Sequence, residues 1–191
     1  MMFEKKIPLT EIQKLAIAGT LVLLILAGRN LPHLWNMTPV VATALFAGVY
    51  LGKRYALLVP LLGMFLGDIS IGFYDWKLLT VVYGSFAVIG ILGVLLKKRL
   101  SLTTLTMVSF VASTGFFLTT NAAVWVFSPW YEKSFTGLME AYTLGIPFYK
   151  NALVGDFFYT MAFFGVYAFF AHRYARRMEV RDGNAQCSAV N

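Results

Sequence analysis

Two aspartates stand inside otherwise apolar runs. Asp68 is the only charge between Tyr55 and Tyr74, and Asp156 the only one between Ala152 and Ala171. A carboxylate at bilayer depth is costly, so each needs a partner or a function. Asp68 falls late in a helix running outward and Asp156 early in one returning, which predicts similar depth for the two. Asn121 and Trp125, one turn apart, share a face of a third helix at that level. The connecting loops at the same end carry Arg29, His33, Trp35, Asn36, Trp76, Tyr149 and Lys150. Aromatic walls with a few polar groups that set orientation are the make-up of a small-molecule pocket. The candidate ligand-binding residues are therefore Asn36, Asp68, Trp76, Asn121, Trp125 and Asp156.

Each also has a plainer structural reading. Asp156, with Tyr159 and Thr160 at i+3 and i+4, sits in the first turn of its expected helix, where a negative charge meets the helix dipole favourably. Asp68, beside Gly67 and Gly72, fits an interfacial position, and Asn121 fits an interhelical hydrogen bond. Trp76 and Trp125 fit an aromatic belt at the membrane surface. Convergence of all of them on one end favours the pocket.

Catalytic patterns are missing: there is no HExxH, no GxSxG, no phosphate loop and no close carboxylate pair in a polar loop. The single cysteine, Cys187, lies in the polar C-terminal stretch, and His33 and His172 fall on opposite sides of the expected bundle. No enzymatic activity, no cofactor and no metal site are expected.

The elements that must hold these residues follow from composition. Of 191 residues, 59% are hydrophobic and only 13% charged, with mean hydropathy +0.69. A soluble domain carries about twice that charge, so a sizeable soluble catalytic domain, a disulfide scaffold and a disordered chain are all excluded. The fold class is an all-α polytopic membrane protein with six transmembrane helices, at about 15–28, 37–52, 55–74, 78–96, 103–127 and 152–171. Residues 1–14 form a short N-terminal segment. Residues 172–191 form a basic tail whose end is expected to be disordered.

Alternating the loops across a bilayer puts 12 of the 16 Lys and Arg on one side and Arg29, Lys77, Lys133 and Lys150 on the other. That bias predicts an even number of spans with both termini cytoplasmic. The charges cluster at the ends of apolar runs with no nucleic-acid motif beside them, so the net charge of +7 is a topology signal and no nucleic-acid partner is expected. A cleaved signal peptide formed by Lys5-Lys6 and Leu15 to Ala27 is the competing reading, but no small-x-small site precedes Arg29. Small residues at four-residue spacing, Ala44, Gly48 and Gly52 on the second span and Gly63 and Gly67 on the third, predict close helix packing within the bundle.

The stretches Asn36-Met-Thr-Pro39, Ala44-Leu-Phe-Ala-Gly48, Gly67-Asp68-Ile, Gly72-Phe-Tyr-Asp75, Thr120-Asn121-Ala-Ala-Val-Trp125 and Asn151-Ala-Leu-Val-Gly155-Asp156 resemble a family of small bacterial membrane proteins. That family is in turn similar to the substrate-binding S components of energy-coupling-factor vitamin transporters. The resemblance covers about Trp35 to Tyr167. It implies a six-helix bundle that binds a vitamin or related compound from outside, working either with an ATP-driven energising module or alone, and it includes Asn36, Asp68, Asn121 and Asp156 in the family pattern. The expected function is substrate binding and transport of a small cofactor-like molecule, with that substrate and membrane lipid as partners. The alternative is a non-catalytic scaffold subunit of a membrane complex, in which the polar groups only pack helices.

Overall fold

Gln13 donates its backbone N–H to Thr10 Oγ1 at 3.3 Å, and Gln13 Oε1 accepts from the Thr10 N–H at 2.9 Å. This reciprocal cap starts α1 (Glu11–Asn30). Five further helices follow in this computed structural model, which describes residues 7–31 and 36–189, with side chains up to residue 178. They are α2 (Val40–Phe46), continued by a π-helical turn (Ala47–Leu51), then α3 (Lys53–Ile71), α4 (Trp76–Leu96), α5 (Leu102–Phe127) and α6 (Phe135–Ala189). The described residues hold six helices and no strand. Helices α1, α3, α4, α5 and α6 are long and apolar enough to cross a membrane, which is the make-up of a multi-pass membrane protein. His33 and Trp35 lie outside the described residues, as do Lys5, Lys6 and the side chains of Arg181 and Cys187.

The turns are set by residues suited to them. Gly52 and Gly72 adopt φ of 102° and 100°, a region a side chain disfavours, and stop the π-turn and α3. Asp75 then accepts the N–H groups of Lys77 and Leu78, at 2.9 and 3.3 Å, and opens α4. One end of the bundle holds the basic turns at Lys53-Arg54 and Lys97 to Arg99. The opposite end, called the far end below, holds the α3–α4 and α5–α6 connections.

Two elements differ from the sequence expectation. The second helix is not a span of residues 37–52: it begins after Pro39 and runs only from Val40 to Leu51. At 1.5 Å per residue that is about 18 Å, short of the ~30 Å hydrocarbon layer. All twelve of its residues are buried, and α3, α4 and α6 pack around it. It is the core of the bundle, not part of its lipid-facing wall. The sixth helix starts at Phe135, not at Ala152, so residues 135–151, expected as a loop, are helical, and the backbone stays helical to Ala189 where a disordered end was expected. Contacts with α5 hold the early part: the Tyr142 hydroxyl donates to the Leu118 carbonyl at 3.0 Å. Pro147, lacking an N–H, withdraws one backbone hydrogen bond just before the deeper half of α6.

The small residues serve packing inside the bundle. A Cβ on Gly48 would lie 2.7 Å from the Gly90 and Gly93 backbone of α4, and one on Gly90 would overlap the Ala56 carbonyl of α3. Gly63 admits Ile25 and Gly67 admits Arg29, so parallel helices α1 and α3 meet in register one turn after another. Gly52 belongs to the stripe only in sequence, since nothing lies within 4 Å of where its Cβ would be. Large apolar side chains such as Leu23, Leu58, Leu62, Ile91, Val111 and Phe169 point outward from the long helices.

Candidate functional site

The far end of the bundle contains a cavity of about 590 Å³. Every helix contributes to its wall: Arg29 closes α1, Val40 and Val41 open α2, Met64 and Ile71 come from α3, Val82 and Phe86 from α4, and others from α5 and α6, while Asn36, Thr38 and Tyr74 come from the connections before α2 and after α3. Two aromatic pairs shape it. Phe86 meets Phe116 with ring centroids 4.7 Å apart, and Phe117 stacks on Tyr149 at 4.6 Å, with the Tyr149 hydroxyl 2.8 Å from Thr114 Oγ1. Asn36, Thr38, Thr120 and Asn121 add polar groups around the wall, and Asp156 and Ser113 add them deeper in.

The six sequence candidates separate by position. Asn36, Asn121 and Asp156 line the cavity. Asn36 holds φ of 63°, a left-handed conformation that asparagine tolerates better than most residues. Asn121 donates from Nδ2 to the Phe117 carbonyl at 2.8 Å, and a Cβ on Gly145 would lie 2.5 Å from its Oδ1, so the missing side chain of Gly145 is what admits Asn121 between α5 and α6.

Asp68 is not on the wall. It is completely buried behind Arg29, whose Nη2 donates to Asp68 Oδ1 in an ion pair, while the Tyr83 hydroxyl donates to Oδ2 at 2.7 Å. Arg29, read from the sequence as a loop cation, is in the last turn of α1 and folds into the bundle across the space left by Gly67. Its Nη1 also reaches Met64 Sδ at 3.1 Å, and its buried Nε has no partner.

Trp125 and Trp76 lie off the cavity. Trp125 donates from Nε1 to the Glu132 carbonyl at 2.9 Å and ties down the α5–α6 connection, where Lys133 Nζ also reaches the Ser128 carbonyl at 2.6 Å. Trp76 is 70% exposed, with Lys77 Nζ 5.8 Å from its ring. Exposure at a helix end is what an interfacial tryptophan shows.

Asp156 differs from its expected setting in two ways. It is in the interior of α6, more than five turns from Phe135, so it does not cap a helix start. It is also deeper than Asp68. The Phe86–Phe116 contact fixes the register of α4 against α5. Tyr83, the partner of Asp68, is three residues to the far-end side of that contact, and Ser113, the partner of Asp156, three residues to the other side. Six residues at 1.5 Å each set the two carboxylates roughly 9 Å apart along the bundle.

Ser113 Oγ is 2.6 Å from Asp156 Oδ2 and 3.0 Å from the Ser109 carbonyl, and Ser109 Oγ is 3.4 Å from Thr160 Oγ1. All four residues are buried. Ser109 and Ser113 stand four apart on α5 and Asp156 and Thr160 four apart on α6, so two short polar stripes face each other below the cavity. That spacing was available in the sequence as a signal for Ser113. The aromatic wall residues had no such signal, because phenylalanines are spread along nearly every span.

Residues 10–179 match the model of a family described as a family of unknown function, DUF6580. The chain belongs to that family. No curated protein and no solved structure matches it. The family match covers the α1 cap, the whole cavity and the Ser109–Thr160 stripes, and it carries no link to energy-coupling-factor S components.

Proposed function

We propose that this protein is a substrate-binding membrane transport protein, a binder and carrier with no catalytic step, which takes a small cofactor- or vitamin-like molecule into the far-end cavity from the outer face of the bacterial inner membrane. One observation carries the reading: a cavity of about 590 Å³, within the 300–1,000 Å³ range of small-molecule sites, whose walls are mostly aromatic and aliphatic with a few converging polar groups. The 12-to-4 distribution of Lys and Arg supports placing the far end outside and both termini in the cytoplasm. The resemblance of the Asn36 to Asp156 motifs to S components supports uptake, either through an ATP-driven module or by the protein alone.

Mass spectrometry of the purified full chain tests this. A scaffold subunit releases only lipid, whereas a binding protein releases a small molecule in near-stoichiometric amount. Ala152 lines the cavity, so Ala152→Trp should fill it and release nothing while the protein stays monodisperse. Lipid alone from the wild type, or unchanged ligand release from Ala152→Trp, overturns the reading.

A further inference from the structure

The charges on the cavity wall do not balance. Arg29 and Asp156 are the charged side chains that line it, and Arg29 is already neutralised by Asp68. Asp156 has no such cation: among the described residues its polar partner is the Ser113 hydroxyl, on Oδ2, and Oδ1 accepts no hydrogen bond. The residue is only 5% exposed and borders the cavity. Arg29, Asp68 and Asp156 together therefore leave one carboxyl group facing an aromatic-walled space with no cation beside it.

An anion in that position is compensated best by a cation delivered with the occupant. Ring faces favour cations in addition, and Phe116, Phe117 and Tyr149 share the wall with Asp156. An anionic occupant would meet Asp156 with like charge, and the guanidinium that could offset this is committed to Asp68. We propose that the cavity selects a ligand with a protonated amine at the end of a flat apolar body, the amine donating to Asp156 Oδ1 and the body packed among the aromatic rings. This rests on reading the cavity as a ligand site and adds the charge class of the ligand. Among the described residues, Asp156 is the buried acid that the fold leaves without a charged partner.

Three probes with the same indole body separate the possibilities: tryptamine (cation), N-acetyltryptamine (neutral) and indole-3-propionate (anion). Their binding to the detergent-purified full chain is read by titration calorimetry and by melting temperature. Tryptamine should bind about tenfold or more tightly than either of the others, the scale of a hydrogen bond to a charged group. Asp156→Asn should bring tryptamine down to the level of the neutral probe in the same variant. Asp156→Glu, which keeps the charge, should retain the preference. The comparison in the wild type needs no variant, so it decides the matter even if Asp156→Asn fails to fold. Equal or tighter binding of the neutral or anionic probe overturns the charge assignment and leaves the cavity a binding site. A tryptamine preference that survives Asp156→Asn also overturns it. If a folded wild-type protein binds none of the three at millimolar concentration, the charge assignment falls, and mass spectrometry of the purified full chain decides separately whether the cavity is a binding site.

Discussion

Asp68 and Asp156 each follow a glycine, and the fold treats them in opposite ways. Gly67 clears the space through which Arg29 reaches Asp68, and Tyr83 satisfies the second carboxylate oxygen, so that group is closed off from the cavity with both oxygens bonded. Gly155 clears space for Met37 instead, with a Cβ there falling 2.7 Å from Met37 Cγ, and Asp156 is left with one hydroxyl partner and an open oxygen beside the cavity. The same dipeptide yields a structural ion pair in one place and an available acceptor in the other. What separates them is whether a neighbouring helix brings a cation to the right register.

That contrast can be broken most forcefully at the ion pair. Asp68→Asn or Arg29→Gln alone leaves a buried charge without its partner, and each should cost about 3–5 kcal/mol, seen as a large fall in melting temperature in detergent. Replacing both, as Arg29→Met with Asp68→Leu, should recover most of that loss. A single Asp68→Asn variant that melts with the wild type would show that the pair does not hold α1 against α3.

A smaller effect is expected at the two glycines. Gly67→Ala sets a methyl group against the Arg29 side chain where it is pinned by Asp68, and overpacking of that kind costs about 1–3 kcal/mol. Gly155→Ala meets Met37, whose Cγ at 2.7 Å can turn away while its Cα at 3.1 Å must yield only slightly, and it should cost less than Gly67→Ala, because methionine rotamers adapt. Thermal melts of the two variants side by side check the order, and the reverse order would place the tighter contact at Gly155.

The smallest stability effect is expected at Asp156. An amide oxygen can still accept from Ser113, so Asp156→Asn should change stability by no more than about 1 kcal/mol while altering which ligands bind. A melting temperature that collapses as far as that of Asp68→Asn would make Asp156 a second structural anchor and remove the contrast.

Much of the bundle was legible from apolar run length. The third, fourth and fifth spans, expected at 55–74, 78–96 and 103–127, correspond to helices Lys53–Ile71, Trp76–Leu96 and Leu102–Phe127, because Gly72, Asp75 and the basic Lys97 to Arg99 turn mark their ends locally. Asn36, Asn121 and Asp156 were legible as polar residues converging on one end, and the structure puts all three on the cavity wall. Trp76 and Trp125 shared that end without sharing the cavity. Residue type alone does not distinguish a tryptophan at the interface from one in a pocket.

The sequence by itself determined that the chain is helical, that most of its helices are membrane-length, and that two carboxylates are set among apolar residues. Only the tertiary structure decided that the twelve residues Val40–Leu51 form the buried centre, that α6 begins seventeen residues before its expected start at Ala152, and which carboxylate receives a cation. The reason lies in the medium. Lipid tails and protein neighbours are equally apolar, so hydropathy measures how long a helix is and not what it faces. Arg29 is 39 residues from Asp68 in sequence, and Ser113 is 43 from Asp156. Their meeting depends on the register of one helix against another, and that register is set by the close approaches of Gly48, Gly63, Gly67 and Gly90, whose spacing marks a close contact without naming the helix that makes it.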